Sequence, residues 1–302
     1  MKDVSPKSNT LRTAKATSAV HCLPATILAV KTGNTPKSDP IGVARVAAIQ
    51  AAKNTSLIIP YCHQVPLDFV GIDAELNDES VVFTTEVKAV WKTGVEMEAL
   101  VAASAAALTF YDMLKPIDDS MQIGPTLLLE KKGGKSDFND RDLAGLRAGV
   151  IVLSDSTSQG HRTDVSGKSI KARLEQMNVE VVAYVVLPDE QRSLEAKLIA
   201  LCDQENLNVI ITTGGTGLGP RDRTPEATLA AVERVIPGIG EFLRSHGQER
   251  TRYAMLGRGI AGVRGKTIIV NLPGSPRGVD DSMDVLFPWL FHARKMLDGG
   301  GH

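Results

Sequence analysis

A polar, charged stretch, KKGGKSDFNDRDLAGLRA at Lys131–Ala148, separates two longer segments in which apolar residues recur with the periods of secondary structure. Each flank has the size of one domain. The 302 residues therefore read as two domains, 1–136 and 147–302, joined by a linker at 137–146. No repeat period relates the two halves, so each is read by itself.

Composition narrows the function classes. A hydrophobic share of 43% against 23% charged residues fits packed domains and argues against disorder. A formal net charge of -1 gives no overall pull toward nucleic acid, and no basic-aromatic pattern supplies a local one. Cys22, Cys62 and Cys202 are far apart, with no CxxC pair and no disulfide framework, which predicts a reducing compartment. Met1–Ser5 carries no signal-peptide core, and no run approaches the ~18–20 apolar residues of a membrane span. The expectation is a cytoplasmic protein with neither membrane nor nucleic acid as partner.

The second half alternates strand and helix. Strands are expected at Gly149–Leu153, Glu180–Leu187, Asn208–Thr213 and Thr267–Asn271. Helices are expected at Ser169–Met177, Glu190–Gln204 and Pro225–Val235, with a closing helix at Val279–Met296. This order predicts an α/β, three-layer, doubly wound domain with a parallel sheet and ligands at the carboxyl ends of its strands. The loop Thr212–Asp222, TTGGTGLGPRD, follows an apolar strand and precedes a helix begun by Thr224 and Pro225. Its backbone N–H groups can hold a phosphate, or it is a plain tight turn; it is neither a Walker loop nor GxGxxG. Asp155, Asp189 and Asp222 stand at strand ends. Each can simply cap a helix or turn. Three such acids beside a glycine loop point instead to Mg²⁺ and phosphate chemistry.

Ser154-Asp155, Leu187-Pro188-Asp189-Glu190, TTGGTG with Arg221-Asp222 and Thr224-Pro225-Glu226, Pro237-Gly238, and Asn271-Leu272-Pro273-Gly274-Ser275-Pro276 resemble the MoaB/MogA family from Arg147 to the end. The resemblance implies adenylylation of molybdopterin with ATP and Mg²⁺. It implies that Asp189 and Asp222 are the carboxylates tied to activity and to the metal, and that Gly214, Gly215, Thr216, Gly217 and Ser275 belong to the binding loops. An alternative is a pterin-binding or scaffold module that does no chemistry, and a nicotinamide-nucleotide enzyme family shares the fold.

The first half reads as α+β. Asp39 can cap a helix at Pro40–Lys53, with Pro40 at a position where a missing N–H costs nothing. Val70, Ile72, Ala74 and Leu76, then Val81, Phe83, Thr85 and Val87, alternate around the turn Asn77–Ser80, a hairpin signature. An alanine-rich helix is expected at Val95–Lys115, ending at Pro116. Asp112 and Lys115 share a helix face. The pair is either an exposed ion pair of little consequence or a device that keeps Asp112 ionised. Cys62 and His63 are either a buried structural pair or part of a site.

The motifs DVSxK at Asp3–Lys7, Lys37-Ser38-Asp39, ARVAxIQAAK at Ala44–Lys53, IPYCH at Ile59–His63, KTGVEMEAL at Lys92–Leu100, YDMxK at Tyr111–Lys115 and GGKS at Gly133–Ser136 are similar to MoaC over residues 2–136. Ser38, Pro40, Tyr61 and Gln64 depart from the usual Gly, Val, Leu and Pro. The resemblance implies a ferredoxin-like α+β domain that converts a cyclic dihydro-GTP to cyclic pyranopterin monophosphate and pyrophosphate. It implies catalytic roles for Lys37, His63, Glu98, Asp112 and Lys115. Substrate binding falls to Arg12, Lys53, Tyr61, Cys62, Met97 and Lys131. A triphosphate substrate suits this excess of cations. No tightly bound organic cofactor is expected. The relatives of both halves imply a homo-oligomer, a hexamer, whose first-domain active site lies between subunits; the alanine-rich helix can pack closely against a neighbour or simply within its own subunit.

Overall fold

A computed structural model of the chain describes residues 1–134 and 145–300. The chain divides into two compact units, Met1–Asp137 and Phe138–His302. Most of the expected linker lies outside the described residues. Its last residue, Leu146, is a core side chain of the second unit, 1% exposed.

The first unit runs β1 (Thr10–His21), α1 (Pro24–Thr32), α2 (Pro40–Lys53), α3 (Thr55–Ile58), β2 (Phe69–Leu76), β3 (Ser80–Trp91), α4 (Glu96–Leu114), β4 (Gln122–Ile123) and β5 (Leu127–Lys132). The sheet is antiparallel, in the order β2-β3-β1-β4, with β5 also paired to β1. The hairpin is the expected one, Leu76 facing Val81 and Val70 facing Val87. β1 was not foreseen. Its buried face is Ala14, Ala16, Ser18 and Val20, small residues that hide the two-residue period. α2 spans the expected residues, with the Asp39 carboxylate accepting from Ile41 N.

Helices α2 and α4 lie on one face of this sheet through alanine. Ala44, Ala48 and Ala52 of α2 and Ala99, Ala102, Ala103, Ala106 and Ala107 of α4 are at most 2% exposed. The alanine stripe is thus consumed inside its own subunit, as the second of its two readings has it, because small side chains let these two helices and the sheet approach closely. α4 is also the one described helix with the length and hydropathy of a membrane span, which corrects the reading that no run comes near one. Its apolar content serves the domain core, and Glu98 near its start is buried there.

The second unit runs β6 (Arg147–Leu153), α5 (Asp155–Ser158), α6 (Ser166–Gln176), β7 (Glu180–Leu187), α7 (Gln191–Gln204), β8 (Val209–Thr213), α8 (Thr224–Ala231), β9 (Arg234–Val235), α9 (Pro237–Gln248), β10 (Ala261–Arg264), β11 (Thr267–Leu272), α10 (Pro276–Leu286) and α11 (His292–Leu297). The strand order is β7-β6-β8-β11-β10-β9. Alternate residues of the central strands enter two cores. Val150, Ile211 and Val270 meet α6 and α10, while Ile151, Ile210 and Ile269 meet α7 and α8, so the unit has three layers.

The sheet is mixed rather than parallel. β7, β6, β8 and β11 are parallel, but β10 returns antiparallel to β11 through a tight turn at Gly265, and β9 adds antiparallel to β10. The expected helix to Val235 stops at Ala231, and Arg234–Val235 extends the sheet edge instead. The expected closing helix is broken at Phe287-Pro288, since proline cannot continue the helical hydrogen-bond ladder. The carboxyl ends of β6, β7, β8 and β11 carry the sequences singled out above.

Candidate functional site

In the first domain the expected residues fall into two groups at opposite ends of α4. At its C-terminal end, Lys37 Nζ lies 2.8 Å from Asp112 Oδ2 and 3.0 Å from the Asp112 carbonyl. Lys115 Nζ lies 2.7 Å from Oδ1. Hydrogen bonds from Lys115 first and Lys37 second bring the Asp112 carboxyl down to about 2. The pair anticipated from helix spacing is thus a triad, and its third member comes from the loop before α2. That loop carries Ser38 at φ +35°, a left-handed conformation that favours glycine, the residue usual there in the resembled motif.

At the N-terminal end of α4, Cys62 Sγ donates to Glu98 Oε1 at 3.5 Å. Burial first, then Glu98, raises the Cys62 thiol to about 11, which disfavours the thiolate. Glu98 is 2% exposed, its Oε2 has no partner among the described residues, and burial raises its pKa. Lys131 Nζ lies 3.5 Å from Glu96 Oε1. Arg12 Nε donates to Trp91 O at 3.4 Å, just before the Lys92–Leu100 motif. His63 Nε2 lies 2.8 Å from Lys2 O, which ties the IPYCH segment to the N-terminal motif. Tyr61 and Met97 are exposed beside these groups, and Lys53 is exposed in the last turn of α2. Glu98 and Asp112 are fourteen residues apart, about 20 Å along the helix at 1.5 Å per residue. One subunit alone does not bring the two groups together.

In the second domain the acids sit where β6, β7 and β8 end. Asp155 N donates to Asp189 Oδ2 at 3.0 Å, and Asp189 N donates to Asp155 Oδ1 at 3.1 Å, locking two strand ends reciprocally. Arg221 grips Asp155 with Nε at 2.6 Å and Nη2 at 2.8 Å, and that fork lowers the Asp155 pKa. Burial first raises the Asp189 pKa, with Asp155 and Asp222 adding to the rise. Asp222 Oδ2 accepts from Gly219 N at 2.7 Å.

The glycine loop fits tightly among these groups. Gly214 has φ +98°, and a Cβ there would lie 2.2 Å from Leu153 O; one on Gly215, at φ +62°, would meet Thr224 Oγ1 at 2.4 Å and Asp189 Oδ1 at 3.4 Å. The N–H groups of Gly215, Thr216, Gly217 and Leu218 have no acceptor among the described residues. Four successive donors of this kind are open to an anionic ligand.

Gly214 and Ser275 also line a cleft of about 420 Å³ with Ser154, Arg162, Asp164 and Ser166. Ser275 Oγ caps α10 by accepting from Gly278 N at 3.2 Å, so its hydroxyl holds the helix start at the cleft wall. Asp189 and Asp222 each commit Oδ2 to a backbone N–H and keep Oδ1 without a protein donor among the described residues. No described cluster of three ligating side chains exists. Two single oxygens beside these open N–H groups nonetheless have the donor chemistry of Mg²⁺, which keeps its waters and takes one or two carboxylates.

Arg258 was missed by sequence reasoning. It holds the loop from the strand-β10 side: its backbone N donates to Thr216 O at 3.0 Å, and Nε donates to Gly217 O at 2.7 Å. Nη2 donates to Asp222 O, and Nη1 pairs with Glu226. Nothing in a lone arginine 36 residues beyond Asp222 signals this contact.

Two family models match the chain: the MoaC family over residues 1–134, and the "Probable molybdopterin binding domain" over residues 149–292. A "Molybdenum cofactor biosynthesis bifunctional protein" of Chlorobaculum tepidum is 42% identical over the whole chain and 96% of its own length. The chain belongs to this bifunctional molybdenum cofactor biosynthesis family. Its MoaC half is 49% identical to a "Cyclic pyranopterin monophosphate synthase" of Nostoc sp., over 45% of this chain and 82% of that one. Its second half is similar to the crystal structure of the molybdopterin biosynthesis enzyme MoaB of Thermus thermophilus, 44% identical, covering 51% of this chain and 97% of that one, with TM-score 0.49.

Proposed function

We propose that the first domain converts a cyclic dihydro-GTP to cyclic pyranopterin monophosphate with release of pyrophosphate, and that the second adenylylates molybdopterin with ATP. In the first domain, the Lys37–Asp112–Lys115 triad carries the reading. Two ammonium groups keep the carboxylate ionised across the working pH range while they are paired with it; when they shift to substrate phosphates, the carboxylate loses that stabilisation and can take a proton. Glu98, buried with a raised pKa, is suited to hold a proton that Asp112, while paired with both lysines, does not. Arg12, Lys53 and Lys131 supply phosphate contacts, and Tyr61, Cys62, His63 and Met97 line the substrate. The strand order 4-1-3-2, counting β2 and β3 as the hairpin, supports a ferredoxin-like description of this domain.

The separation of Glu98 from Asp112 along α4 supports a site completed by another copy of the chain, hence a homo-oligomer, which we take to be a hexamer. Val46 (67% exposed), Leu57 (82%) and Leu108 (59%) supply apolar surface for such contacts.

In the second domain, the four unaccepted N–H groups at Gly215–Leu218 carry the reading. They hold phosphate oxygens, while Asp189 and Asp222 hold Mg²⁺. When bound, that ion supplies charge neutralisation at the phosphates. Arg221 keeps Asp155 ionised and oriented, and Asp155 orients Asp189.

Purified protein supplied with the cyclic dihydro-GTP, and separately with molybdopterin and Mg-ATP, tests both halves. Pterin product in the first reaction and adenylylated molybdopterin in the second are expected. Tight molybdopterin binding with no adenylyl transfer would replace the second assignment with that of a non-catalytic carrier module.

A further inference from the structure

The N–H groups of Gly215–Leu218 are open to a ligand, while the carbonyls of the same loop are occupied elsewhere. Thr224 Oγ1 donates to Gly214 O at 2.8 Å, and Thr224 N donates to Gly215 O at 3.1 Å. Arg258 N donates to Thr216 O, Arg258 Nε to Gly217 O, and Asp222 N to Gly219 O at 3.0 Å. Arg258 Nη2 closes the loop by taking Asp222 O. A peptide's carbonyl and the N–H of the next residue point in opposite directions. Fixing the carbonyls of residues 214–217 therefore turns the N–H groups of residues 215–218 the other way.

Two residues provide this anchoring. Thr224 is local, ten residues along the same turn. Arg258 comes from outside the loop and spans it, from Thr216 to Asp222 and on to Glu226 in α8. Both guanidinium and Glu226 are one-third exposed, and Arg258 lowers the Glu226 pKa. A planar guanidinium can meet two carbonyls and a carboxylate at once, whereas an ammonium, a point donor on a flexible stem, cannot keep all three in register.

We propose that Arg258 is a positioning residue for nucleotide binding: it orients the Gly215–Leu218 N–H groups toward the phosphates and fixes the backbone of Asp222 beside them. Arg258 itself touches no phosphate. The inference rests on the reading of this loop as a nucleotide phosphate site.

The test compares the full-length protein with Arg258→Lys, by calorimetric titration with Mg-ATP and with adenosine. Mg-ATP binding by Arg258→Lys should be about 10–100-fold weaker, equivalent to about 1.4–2.8 kcal/mol at 1.4 kcal/mol per decade. Adenosine, which has no phosphate, should bind Arg258→Lys as it binds the parent. The Mg²⁺ concentration for half-maximal adenylyl transfer should also rise. In Arg258→Ala, added guanidinium should restore part of the ATP affinity. If that variant does not fold, Arg258→Lys, which keeps a cation beside Glu226, decides alone. Mg-ATP binding by Arg258→Lys as tight as the parent's, or equal losses of ATP and adenosine affinity, overturns the inference while leaving the site assignment in place. A parent protein that binds no Mg-ATP overturns the site assignment and the inference together.

Discussion

Gly214→Ala has a cost that can be worked from geometry. At φ +98° an L side chain carries a backbone penalty of about 1–2 kcal/mol. The new Cβ would also lie 2.2 Å from Leu153 O and 3.2 Å from Leu153 C. Both are backbone atoms of β6, so no rotamer change relieves the contact, and β6 and β8 must separate where they pair. Overpacking of that kind costs about 1–3 kcal/mol. The sum, about 2–5 kcal/mol, is a large part of the 5–15 kcal/mol typical of a domain. At about 2–4 °C per kcal/mol for a domain of this size, the second domain should melt about 5–20 °C lower. Gly265→Ala is the control: φ is +54° but nothing lies within 4 Å of its Cβ, so only the backbone penalty applies. Scanning calorimetry of both variants isolates the steric part as the difference between them. Equal melting temperatures for the two variants would falsify the claim that Gly214 is required by its contact with β6.

Asp112→Asn should lower cyclic pyranopterin formation by about 10²–10⁴-fold, the usual range for a lost acid or base, measured as pterin product per enzyme. The Asp112 ion pairs stabilise the first domain above pH 3.8, and that contribution should disappear as pH falls through about 2, which acid titration followed by NMR of the carboxyl carbon can locate. In the second domain Asp189, whose pKa is raised by burial, should take up a proton before Asp155, which Arg221 holds low; Mg²⁺ affinity should weaken on acidification at a higher pH than for an ordinary aspartate, and a titration midpoint at or below the ordinary value contradicts this. Ser38→Gly should stabilise the first domain by about 0.5–1 kcal/mol in urea unfolding, because glycine accepts φ +35° without the steric penalty.

What could be read from the chain beforehand follows from how local each signal is. α2 was legible because a capping aspartate and a first-turn proline mark its start. The β2–β3 hairpin was legible because large apolar residues alternate on both sides of one turn. β1 was not, since its inward face is Ala, Ala, Ser and Val, and the residues between are equally small or polar. β10 escaped because four residues, Ala261–Arg264, carry no period, and α9 because Gly238, Gly240 and Gly247 depress its helix propensity. Among the site residues, Asp112 with Lys115 and the acids at strand ends were visible as spacing and position. The Lys37 contact, the Asp155–Asp189 reciprocity and the Arg258 anchor were not, because they join segments 34 to 75 residues apart that only the fold brings together.

The central claim is that one chain carries two independent active sites, and crossed single variants test it most directly. Asp112→Asn and Asp189→Asn, each in the full-length protein, are assayed for both reactions. Asp112→Asn is predicted to lose pterin formation and keep adenylyl transfer, while Asp189→Asn does the reverse, because the partners of Asp112, Lys37 and Lys115, lie in the first unit and Asp155, the partner of Asp189, lies in the second. Loss of both reactions in either folded variant, or retention of both in either, contradicts it.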